Sequence, residues 1–480
     1  MKDLIKKIKA FENESQTLEI PIAQRGILIE KVKQFTDDFI EALPEAESFN
    51  TKTPNFDKLK IRDNSTKTLD DILSIFKEEV NELGLRAASG GHVGYIPGGG
   101  IYAAALGDFL AAVSNEYAGV SYASPGAVAI ENEVITWLKK VFSFPETAVG
   151  NLASGGSIAN LIALTAARDK HKIKNEHITK SVVYLSEQAH HCLKKALRII
   201  GLEDVIIRHL ELDEDYKIDT GTLNKQIEVD FSLGLHPFLI IASAGTTDVG
   251  AIDPLEKIAT IAKHHNLWYH IDAAYGGFFV LTSKKESFKG IEKADSLVVD
   301  PHKGMFLPYG LGAVLIKDGE AVLHSHRSTG NYLQDAVTAD LANEPANVSP
   351  ELTKHFRGLR MWLPLQLHGI KPFVAALEEK LLLTTYFRKK LIAMGCKVGP
   401  KPDLSVSYFW YPTEKHQNDF NKKLMQNIHQ DGSVFLSSTI LKGEFVIRIA
   451  ILSFRTKRVT IDRALEMIER SLKQTLVDFE

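Results

Sequence analysis

Cysteine is scarce in this chain, with only two residues among 480, Cys192 and Cys396. Two isolated thiols are too few for a disulfide framework or for a thiolate zinc site. Such sparing use of cysteine is typical of proteins from reducing compartments. We therefore expect a cytoplasmic protein without structural disulfides.

The sequence also lacks an excess of charge of one sign and any long apolar run. Its 57 basic and 60 acidic residues leave a formal net charge of −3, which provides no general attraction for nucleic acid or an anionic membrane. No segment approaches the roughly 18 apolar residues of a membrane-spanning helix, and no apolar stretch follows the basic N-terminus as in a signal peptide. We expect a globular enzyme with neither nucleic acid nor membrane as a partner.

The spacing of apolar residues divides the chain into three parts. Residues 1–85 show helical spacing around a polar stretch that contains proline, which predicts an N-terminal helical segment with an extended arm. In residues 86–370, short runs rich in Val and Ile alternate with helical stretches, as in a large α/β domain with a mostly parallel central sheet. Residues 371–480 alternate helices with two strand-like runs, which predicts a smaller α+β C-terminal domain.

Five apolar runs of the large domain are the clearest strand candidates. They are Ser181–Leu185, Phe238–Ala242, Leu267–Ile271, Ser296–Val299 and Gly312–Ile316. Their continuous apolarity predicts burial on both faces of the sheet. Ligands of open α/β sheets bind beyond the carboxyl ends of the strands, so the polar residues after these runs are candidate site residues. The first four runs are followed by segments that contain His190, Thr246, Asp272 and Lys303.

Lys303 and Asp272 have the most specific chemistry among these residues. A lysine amine just after a buried strand can be desolvated, which lowers its pKa and lets it form a Schiff base with a carbonyl. The alternative for Lys303 is an ordinary solvated lysine. Asp272 is followed by the small residues Ala273 and Ala274 and can reach a flat ligand. Its alternative role is that of a helix N-cap.

A glycine-rich turn lies upstream, where Asn151–Ser157 leads into the helical pattern Ile158–Ala167. Backbone N–H groups and the helix dipole favour phosphate at such a turn, although Gly-Gly-Ser before a helix is also a plain capping turn. The sequence has no Gly-x-x-x-x-Gly-Lys-Ser/Thr motif for a nucleotide. A phosphate cradle, a carboxylate for a flat ring and a Schiff-base lysine are the three requirements for holding pyridoxal phosphate.

Six sequence blocks carry a family resemblance. They are Ala123–Pro125, Ser154–Ser157, Ser186–His190, His270–Gly277 (HIDAAYGG), Asp300–Lys303 (DPHK) and Phe356–Trp362 (FRGLRMW). From about Leu85 to the C-terminus, the chain resembles the group II pyridoxal-phosphate-dependent amino-acid decarboxylases, which include aromatic-L-amino-acid, histidine and glutamate decarboxylases. The resemblance implies the fold-type I architecture of pyridoxal-phosphate-dependent transferases, a homodimer and pyridoxal 5'-phosphate as cofactor.

The resemblance also assigns roles to individual residues. Lys303 is expected to form the Schiff base, Asp272 to pair with the pyridine nitrogen and His190 to stack on the ring. Four residues are expected to contact the phosphate of the cofactor, namely Gly156, Ser157, Asp300 and His302. Two more, Thr246 and Ala274, are expected to contact its ring. Asp300 stands where some relatives have asparagine, so it adds negative charge near the phosphate.

Tyr332 lies in a stretch that resembles the mobile loop of the family, whose tyrosine returns a proton to the substrate. Relatives that convert amino acids to aldehydes typically lack this tyrosine or the stacking histidine, whereas Tyr332 and His190 are both present. The resemblance therefore favours decarboxylation of an L-amino acid, expected to be aromatic, to its amine and CO2. A decarboxylase of glutamate or of another acidic or basic amino acid, an aldehyde synthase and another carbon-carbon lyase remain alternatives.

Three further features leave their roles open. His92–Gly100 occupies the region that helps line the substrate pocket in the family, where Tyr95 and Ile96 either contact an aromatic side chain or simply pack. Arg448 is a candidate for binding the substrate carboxylate or for an interdomain ion pair. The paired histidines of the chain lack a carboxylate or cysteine at ligand spacing, so we predict no metal site.

Overall fold

The computed structural model describes residues 1–63, 65–327 and 344–479. A seven-stranded sheet lies at the centre, in the order β1-β7-β6-β5-β4-β2-β3. Its strands are β1 (Val149–Ala153), β2 (Ser181–Ser186), β3 (Ile206–Leu210), β4 (His236–Ser243), β5 (Trp268–Asp272), β6 (Ser296–Val299) and β7 (Gly312–Ile316). Strands β2 to β6 are parallel, and β7 is antiparallel to both of its neighbours. This arrangement confirms the predicted α/β fold with a mostly parallel sheet.

All five predicted strands are present, and their burial on two faces is confirmed. Alternate side chains of β2 enter two separate core clusters, with Val182 and Tyr184 in one and Val183 and Leu185 in the other. Strands β1 and β3 were not predicted, because polar residues interrupt their apolar runs. Both are edge strands, which do not need the continuous apolarity of central strands.

Sixteen helices accompany the sheets in the described residues. They are α1 (Lys2–Ser15), α2 (Ile22–Ala42), α3 (Phe56–Leu59), α4 (Leu69–Phe76), α5 (Tyr102–Ser114), α6 (Pro125–Val141), α7 (Gly156–Lys170), α8 (Cys192–Ile199), α9 (Thr220–Ser232), α10 (Leu255–His264), α11 (Pro301–Gly304), α12 (Gly319–His326), α13 (Gly358–His368), α14 (Lys371–Ala393), α15 (Gln417–Asp431) and α16 (Arg458–Phe479). None of these helices combines the length and apolarity that would be needed to cross a bilayer.

The C-terminal part of the chain forms a second, antiparallel sheet in the order β10-β11-β9-β8. Its strands are β8 (Lys397–Val398), β9 (Val406–Trp410), β10 (Ser437–Leu441) and β11 (Glu444–Ala450). Side chains such as Phe387 of α14, Leu424 of α15 and Ile468 of α16 pack with this sheet in one core cluster. The predicted α+β unit is therefore present, with β8 and β10 as strands that were not predicted.

The N-terminal segment contains helices α1, α2 and α4, and none of them has a buried residue. Their apolar side chains face outward in the single chain. Phe11 is 69% exposed and Ile22 is 80% exposed. Exposed apolar faces of this kind are typical of helices that pack against another surface.

A buried ion pair connects α6 and β1 to the start of α13. Lys354 Nζ lies 2.6 Å from Glu131 Oε2 and donates to the carbonyl of Leu152 at 3.1 Å. The other oxygen of Glu131 accepts the backbone N–H of Gly358 at 3.1 Å. The side chains of Lys354 and Glu131 are 0% and 2% exposed. The pair thus fixes β1, which leads into the glycine-rich turn, against the helices beside it.

Removal of one member of this pair is expected to destabilise the large domain strongly. In Lys354→Met, Glu131 is left as an uncompensated buried charge, which costs about 3–5 kcal/mol. Adding Glu131→Gln removes the charge and keeps an acceptor for Gly358, so the double variant should recover much of the loss. Thermal unfolding of the three proteins tests this. A single variant as stable as the wild type, or a double variant no more stable than the single one, would contradict it.

Candidate active site

A cavity of about 270 Å³ lies at the carboxyl ends of strands β2, β4, β5 and β6, next to the N-terminus of α7. Nine of the ten predicted site residues line it: Gly156, Ser157, His190, Thr246, Asp272, Ala274, Asp300, His302 and Lys303. The tenth, Tyr332, lies outside the described residues. The strands are parallel, so their ends meet at one edge of the sheet and bring together residues that are far apart in the sequence.

Lys303 is paired with Asp300 inside this cavity. Both residues follow β6, and the single turn of α11 brings Lys303 Nζ to 2.9 Å from Asp300 Oδ2. Burial alone would lower the pKa of the Lys303 amine, but the charge and hydrogen bond of Asp300, together with the charge of Asp272, outweigh burial and raise that pKa above its usual value. The expectation of a lowered lysine pKa is therefore wrong for this structure, because a carboxylate lies next to the amine.

Asp300 also contacts the glycine-rich turn. A Cβ atom added to Gly156 would lie 2.9 Å from Asp300 Oδ2, and one added to Gly312 would lie 2.7 Å from Asp300 Oδ1. Only glycine leaves room for the carboxylate at these two positions. Asp300 Oδ1 is buried and has no hydrogen-bond partner in the described part of the chain. A polar atom buried without a partner is unusual and favours a ligand group at this point.

Asp272 ends β5 and is 8% exposed. Its Oδ1 accepts the backbone N–H of Ala274 at 3.0 Å, and its Oδ2 accepts the Asn160 amide at 3.2 Å. Burial raises the pKa of Asp272, and the N–H of Ala274 and the positive charge of Lys303 offset part of that rise. A carboxylate held in this way can pair with a cationic ring nitrogen. The positive charge would favour the ionised form of the carboxylate, which burial disfavours.

The two histidines of the cavity are held as neutral rings. His190 Nδ1 accepts the backbone N–H of Cys192 at 3.3 Å, and burial lowers the pKa of His190. His302 Nδ1 donates to the carbonyl of Leu311 at 2.6 Å, and burial lowers its pKa as well. His302 Nε2 lies 3.8 Å from Asp300 Oδ2. This nitrogen can donate to a phosphate only when the ring takes up a second proton.

Asn160 also lines the cavity, although it was not predicted as a site residue because it lies in the apolar pattern of α7. It follows Gly156 by one helical turn, so the two residues share a face of the helix. This spacing from Gly156 is the feature of the sequence that could have indicated Asn160 as a cavity residue. Cys192 also lines the cavity, and burial raises the pKa of its thiol to about 12. The thiol is therefore neutral and not a nucleophile at physiological pH.

Arg448 does not form the interdomain ion pair that was one of its two candidate roles, and its role toward a substrate carboxylate stays a prediction. Its guanidinium donates to the carbonyl oxygens of Asp248 at 3.1 Å and Tyr95 at 3.0 Å, to the carbonyl of Thr247, and to Ser437 Oγ at 3.0 Å. It forms no ion pair with a described residue. Its donors are occupied by backbone carbonyls, so Arg448 connects β11 to the turn that follows Thr246.

The chain is similar to known proteins both in sequence and in fold. The pyridoxal-dependent decarboxylase conserved domain matches residues 62–396. An aromatic-L-amino-acid decarboxylase of Bacillus atrophaeus is 36% identical over 371 residues, which cover 75% of this chain and 77% of that protein. The chain belongs to the pyridoxal-dependent decarboxylase family. Tryptophan decarboxylase 2 of Oryza sativa subsp. japonica is 27% identical over 466 residues, which cover 93% of this chain and 94% of that protein.

The fold of this pyridoxal-dependent decarboxylase matches solved structures of the family. The crystal structure of Catharanthus roseus tryptophan decarboxylase in complex with L-tryptophan has a TM-score of 0.87 at 22% identity, covering 95% of this chain and 99% of that one. This similarity confirms the fold-type I architecture. The enzyme is a decarboxylase that uses pyridoxal phosphate. The cavity fits that cofactor, since it combines a glycine-rich helix N-terminus, a buried carboxylate and a lysine.

The pair of Lys303 and Asp300 predicts a pH dependence for capture of the cofactor by the unloaded protein. Only the neutral amine attacks an aldehyde, and Asp300 raises the pKa of Lys303. The capture rate at saturating pyridoxal phosphate should therefore rise with pH. In Asp300→Asn, Asp300 no longer opposes the effect of burial, so the profile of rate against pH should move to lower pH by about one unit or more, which gives approximately tenfold faster capture near pH 7.

Stopped-flow absorbance between about pH 6 and pH 9 measures this rate. Asp295→Asn is the matched control, because Asp295 precedes β6 whereas Asp300 follows it. That control should keep the wild-type profile. A profile of Asp300→Asn that coincides with the wild type, or that moves to higher pH, would show that Asp300 does not set the protonation of Lys303.

Proposed function

We propose that this pyridoxal-dependent decarboxylase converts an aromatic L-amino acid to its amine and CO2. The observation that best supports the chemistry is that Lys303 and Asp272 line one cavity beside the glycine-rich turn. The aromatic assignment is supported by the relatives, which include the aromatic-L-amino-acid decarboxylase of Bacillus atrophaeus and tryptophan decarboxylase 2 of Oryza sativa subsp. japonica. Glutamate and other acidic or basic amino acids are the alternative substrates.

The proposed roles follow from the positions of the side chains in the cavity. Lys303 binds the cofactor covalently, Asp272 pairs with its pyridine nitrogen, and His190 stacks on its ring. The phosphate is proposed to lie against the turn and α11, beside Gly156, Ser157, Asp300 and His302, and the ring to contact Thr246 and Ala274. The backbone N–H groups of the turn would donate to the phosphate, whereas the Asp300 carboxylate only accepts and holds Lys303 Nζ at 2.9 Å. Thr246 is held in place because its Oγ1 accepts the backbone N–H of Ala251 at 3.1 Å.

Each of these residues has a task in the reaction. The bound cofactor supplies an electron sink for the electron pair that remains at Cα when CO2 departs. Asp272 holds a proton on the ring nitrogen, because a nearby carboxylate favours the charged form of that nitrogen. His190 covers one face of the ring and excludes water from it. Lys303 holds the cofactor in position until the substrate amine takes the place of the lysine amine. The substrate is then bound with its Cα–carboxyl bond in the orientation that the reaction needs.

Tyr332 is proposed to return a proton to Cα, although it lies outside the described residues. This role supports an amine as the product. An aldehyde synthase is the second candidate, because a phenylacetaldehyde synthase of Petunia hybrida is 28% identical over 399 residues, which cover 78% of this chain. The presence of both Tyr332 and His190 supports simple decarboxylation over that alternative.

The side chain of the substrate is proposed to approach the region around Tyr95. Tyr95 is 59% exposed and its carbonyl is held by Arg448, whereas the neighbouring Ile96 is 8% exposed and packs in the main core. Packing is therefore the role of Ile96. An exposed tyrosine with a fixed backbone is suited to contact an aromatic ring.

The function is tested by product analysis with a panel of aromatic, acidic and basic L-amino acids. We expect amine and CO2 in equal amounts from an aromatic substrate, and a yellow protein in which borohydride fixes the cofactor to Lys303. Lys303→Ala should lose the borohydride adduct and at least about a thousandfold in turnover, since covalent catalysis is removed. Lys285→Ala, an exposed lysine on the same domain, is the control and should retain both.

Three outcomes would contradict the proposal. Amine formation only from acidic or basic amino acids would reject the aromatic assignment. Aldehyde in place of amine would establish the synthase alternative. A protein that stays colourless with added pyridoxal phosphate would reject the roles of Lys303 and Asp272.

We propose that the enzyme is a homodimer located in the cytoplasm. The apolar faces of α1, α2 and α4 support a dimer, since each protomer leaves them uncovered. Helix α5 adds a second such surface, with Phe109 50% exposed and Val113 70% exposed. The cytoplasmic location is supported by Cys192 and Cys396, which are buried free thiols.

Charge on the apolar face of α1 is expected to weaken the dimer. Phe11→Glu places a carboxylate where the partner subunit would cover an apolar ring, which should raise the dimer dissociation constant about tenfold or more. Asn13→Glu adds the same charge to the same helix and serves as the control. Sedimentation or light scattering over a dilution series measures both. A monomeric wild-type protein, or equal effects of the two variants, would contradict this assignment.

A further inference from the structure

Four hydrogen bonds run from the cavity into the interior of the central sheet. Asn160 donates from Nδ2 to Asp272 Oδ2 at 3.2 Å, and Asn160 Oδ1 lies 2.8 Å from His270 Nε2. His270 Nδ1 lies 2.8 Å from Ser296 Oγ, and Trp268 Nε1 donates to the same Ser296 Oγ at 2.8 Å. We call Asn160, His270, Ser296 and Trp268 the relay. It connects the carboxylate at the end of β5 to strand β6.

The relay is shielded from water and belongs to regular elements. Asn160, His270 and Ser296 are each 0% exposed, and Trp268 is 4% exposed. His270 and Asp272 are two residues apart on β5, so their side chains lie on the same face of the strand. Ser296 is the register partner of His270 in the parallel pair of β5 and β6. The backbone therefore fixes the spacing of the relay, and bulk water does not compete for its hydrogen bonds.

The directions of these hydrogen bonds follow from which atoms can donate. The indole of Trp268 only donates, so Ser296 Oγ accepts from it. Burial lowers the pKa of His270 to about 3, so its ring is neutral and has one N–H. If that hydrogen is on Nε2, His270 donates to Asn160 Oδ1, and the Ser296 hydroxyl donates to Nδ1. The Asn160 amide then presents N–H to Asp272, which accepts it as an ionised carboxylate.

The opposite set of hydrogen-bond directions leaves one buried donor without an acceptor. It places the hydrogen of His270 on Nδ1, turns the Asn160 amide and presents its carbonyl oxygen to Asp272, which must then be protonated. The Ser296 hydroxyl would accept from both Trp268 and His270, and its own proton would have no acceptor among the hydrogen bonds of the described residues. A buried donor without a partner costs free energy, so the first arrangement is favoured.

We propose that Asn160 and His270 are positioning residues that hold Asp272 ionised and directed at the cofactor, with Ser296 and Trp268 fixing the tautomer of His270. This inference depends on the role proposed above for Asp272. The relay counteracts the burial of Asp272, which by itself favours the neutral acid. The relay acts on the cofactor only through Asp272. Loss of the relay should therefore weaken the contact between Asp272 and the ring nitrogen of the cofactor, while Lys303 can still form its covalent bond.

The first experiment measures the tautomer of His270 in the unloaded wild-type protein by ¹⁵N NMR of labelled histidine. The His270→Gln spectrum identifies the signal among the 17 histidines. We expect hydrogen on Nε2, none on Nδ1, and no titration of this ring between about pH 6 and pH 8. Hydrogen on Nδ1, or a ring that titrates in this range, would overturn the proposal without reference to cofactor or activity.

The second experiment replaces the donor to Asp272 by an apolar side chain of similar size. In Asn160→Leu we expect the dissociation constant of pyridoxal phosphate to rise about 10- to 100-fold, the loss that corresponds to one hydrogen bond to a charged group. The ¹⁵N signal of the bound pyridine nitrogen should move towards its unprotonated position. Thr165→Val, another buried polar residue of α7, is the matched control and should change neither quantity.

A rescue experiment separates positioning from packing. His270→Gln keeps an N–H that can reach Asn160, whereas His270→Leu has none. The glutamine variant should retain a pyridine signal closer to that of the wild type than the leucine variant. Equal signals in both, or an Asn160→Leu protein that matches Thr165→Val, would overturn the proposal.

Asp272→Asn distinguishes failure of this inference from failure of the proposed function. If Asp272→Asn shifts the pyridine signal and the relay variants do not, the relay alone is wrong. If Asp272→Asn also leaves the signal unchanged, the placement of the cofactor against Asp272 is wrong. Should Asn160→Leu fail to fold, the tautomer of His270 in the wild type still decides the proposal.

Discussion

The burial of a charged carboxylate at the end of a central strand is the constraint on which this site depends. Asp272 is 8% exposed, and its location in the sheet favours the neutral acid. The positive charge of Lys303 opposes this tendency, and Asp272 also accepts hydrogen bonds from the backbone N–H of Ala274 and the amide of Asn160. In the roles proposed for Asp272 and the relay, the strand, the helix behind it and the relay serve one electrostatic requirement, a carboxylate that remains available to a cationic ring nitrogen.

A second electrostatic feature is the small number of positive groups in the cavity. Among the lining residues, Asp272 and Asp300 are carboxylates, and Lys303 is the lysine that interacts with both. The two histidines are neutral rings, so they add no fixed positive charge. Attraction for a phosphate then depends on the N–H groups and dipole at the start of α7. In the proposed placement of the phosphate, the glycines of the turn before α7 let that group approach these N–H groups closely.

Much of this site could be predicted from the sequence, because parallel strands deliver the residues after them to one edge. The segments after β2, β4, β5 and β6 meet as expected. The Lys303 pKa could not be predicted, since its direction depends on a 2.9 Å contact with Asp300. The relay could not be predicted either, because strand register sets the pairing of His270 with Ser296. The hydrogen bonds of Arg448 could not be predicted, because most of its partners are backbone carbonyl oxygens, which residue types do not reveal.

The central claim is that Lys303 and Asp272 act on one cofactor molecule. A crystal structure of the protein soaked with pyridoxal phosphate tests it most directly. The account predicts a continuous bond from Lys303 Nζ to the cofactor and the pyridine nitrogen about 3 Å from the Asp272 carboxylate. A cofactor attached to Lys303 with its ring nitrogen turned away from Asp272, or bound elsewhere, would contradict it.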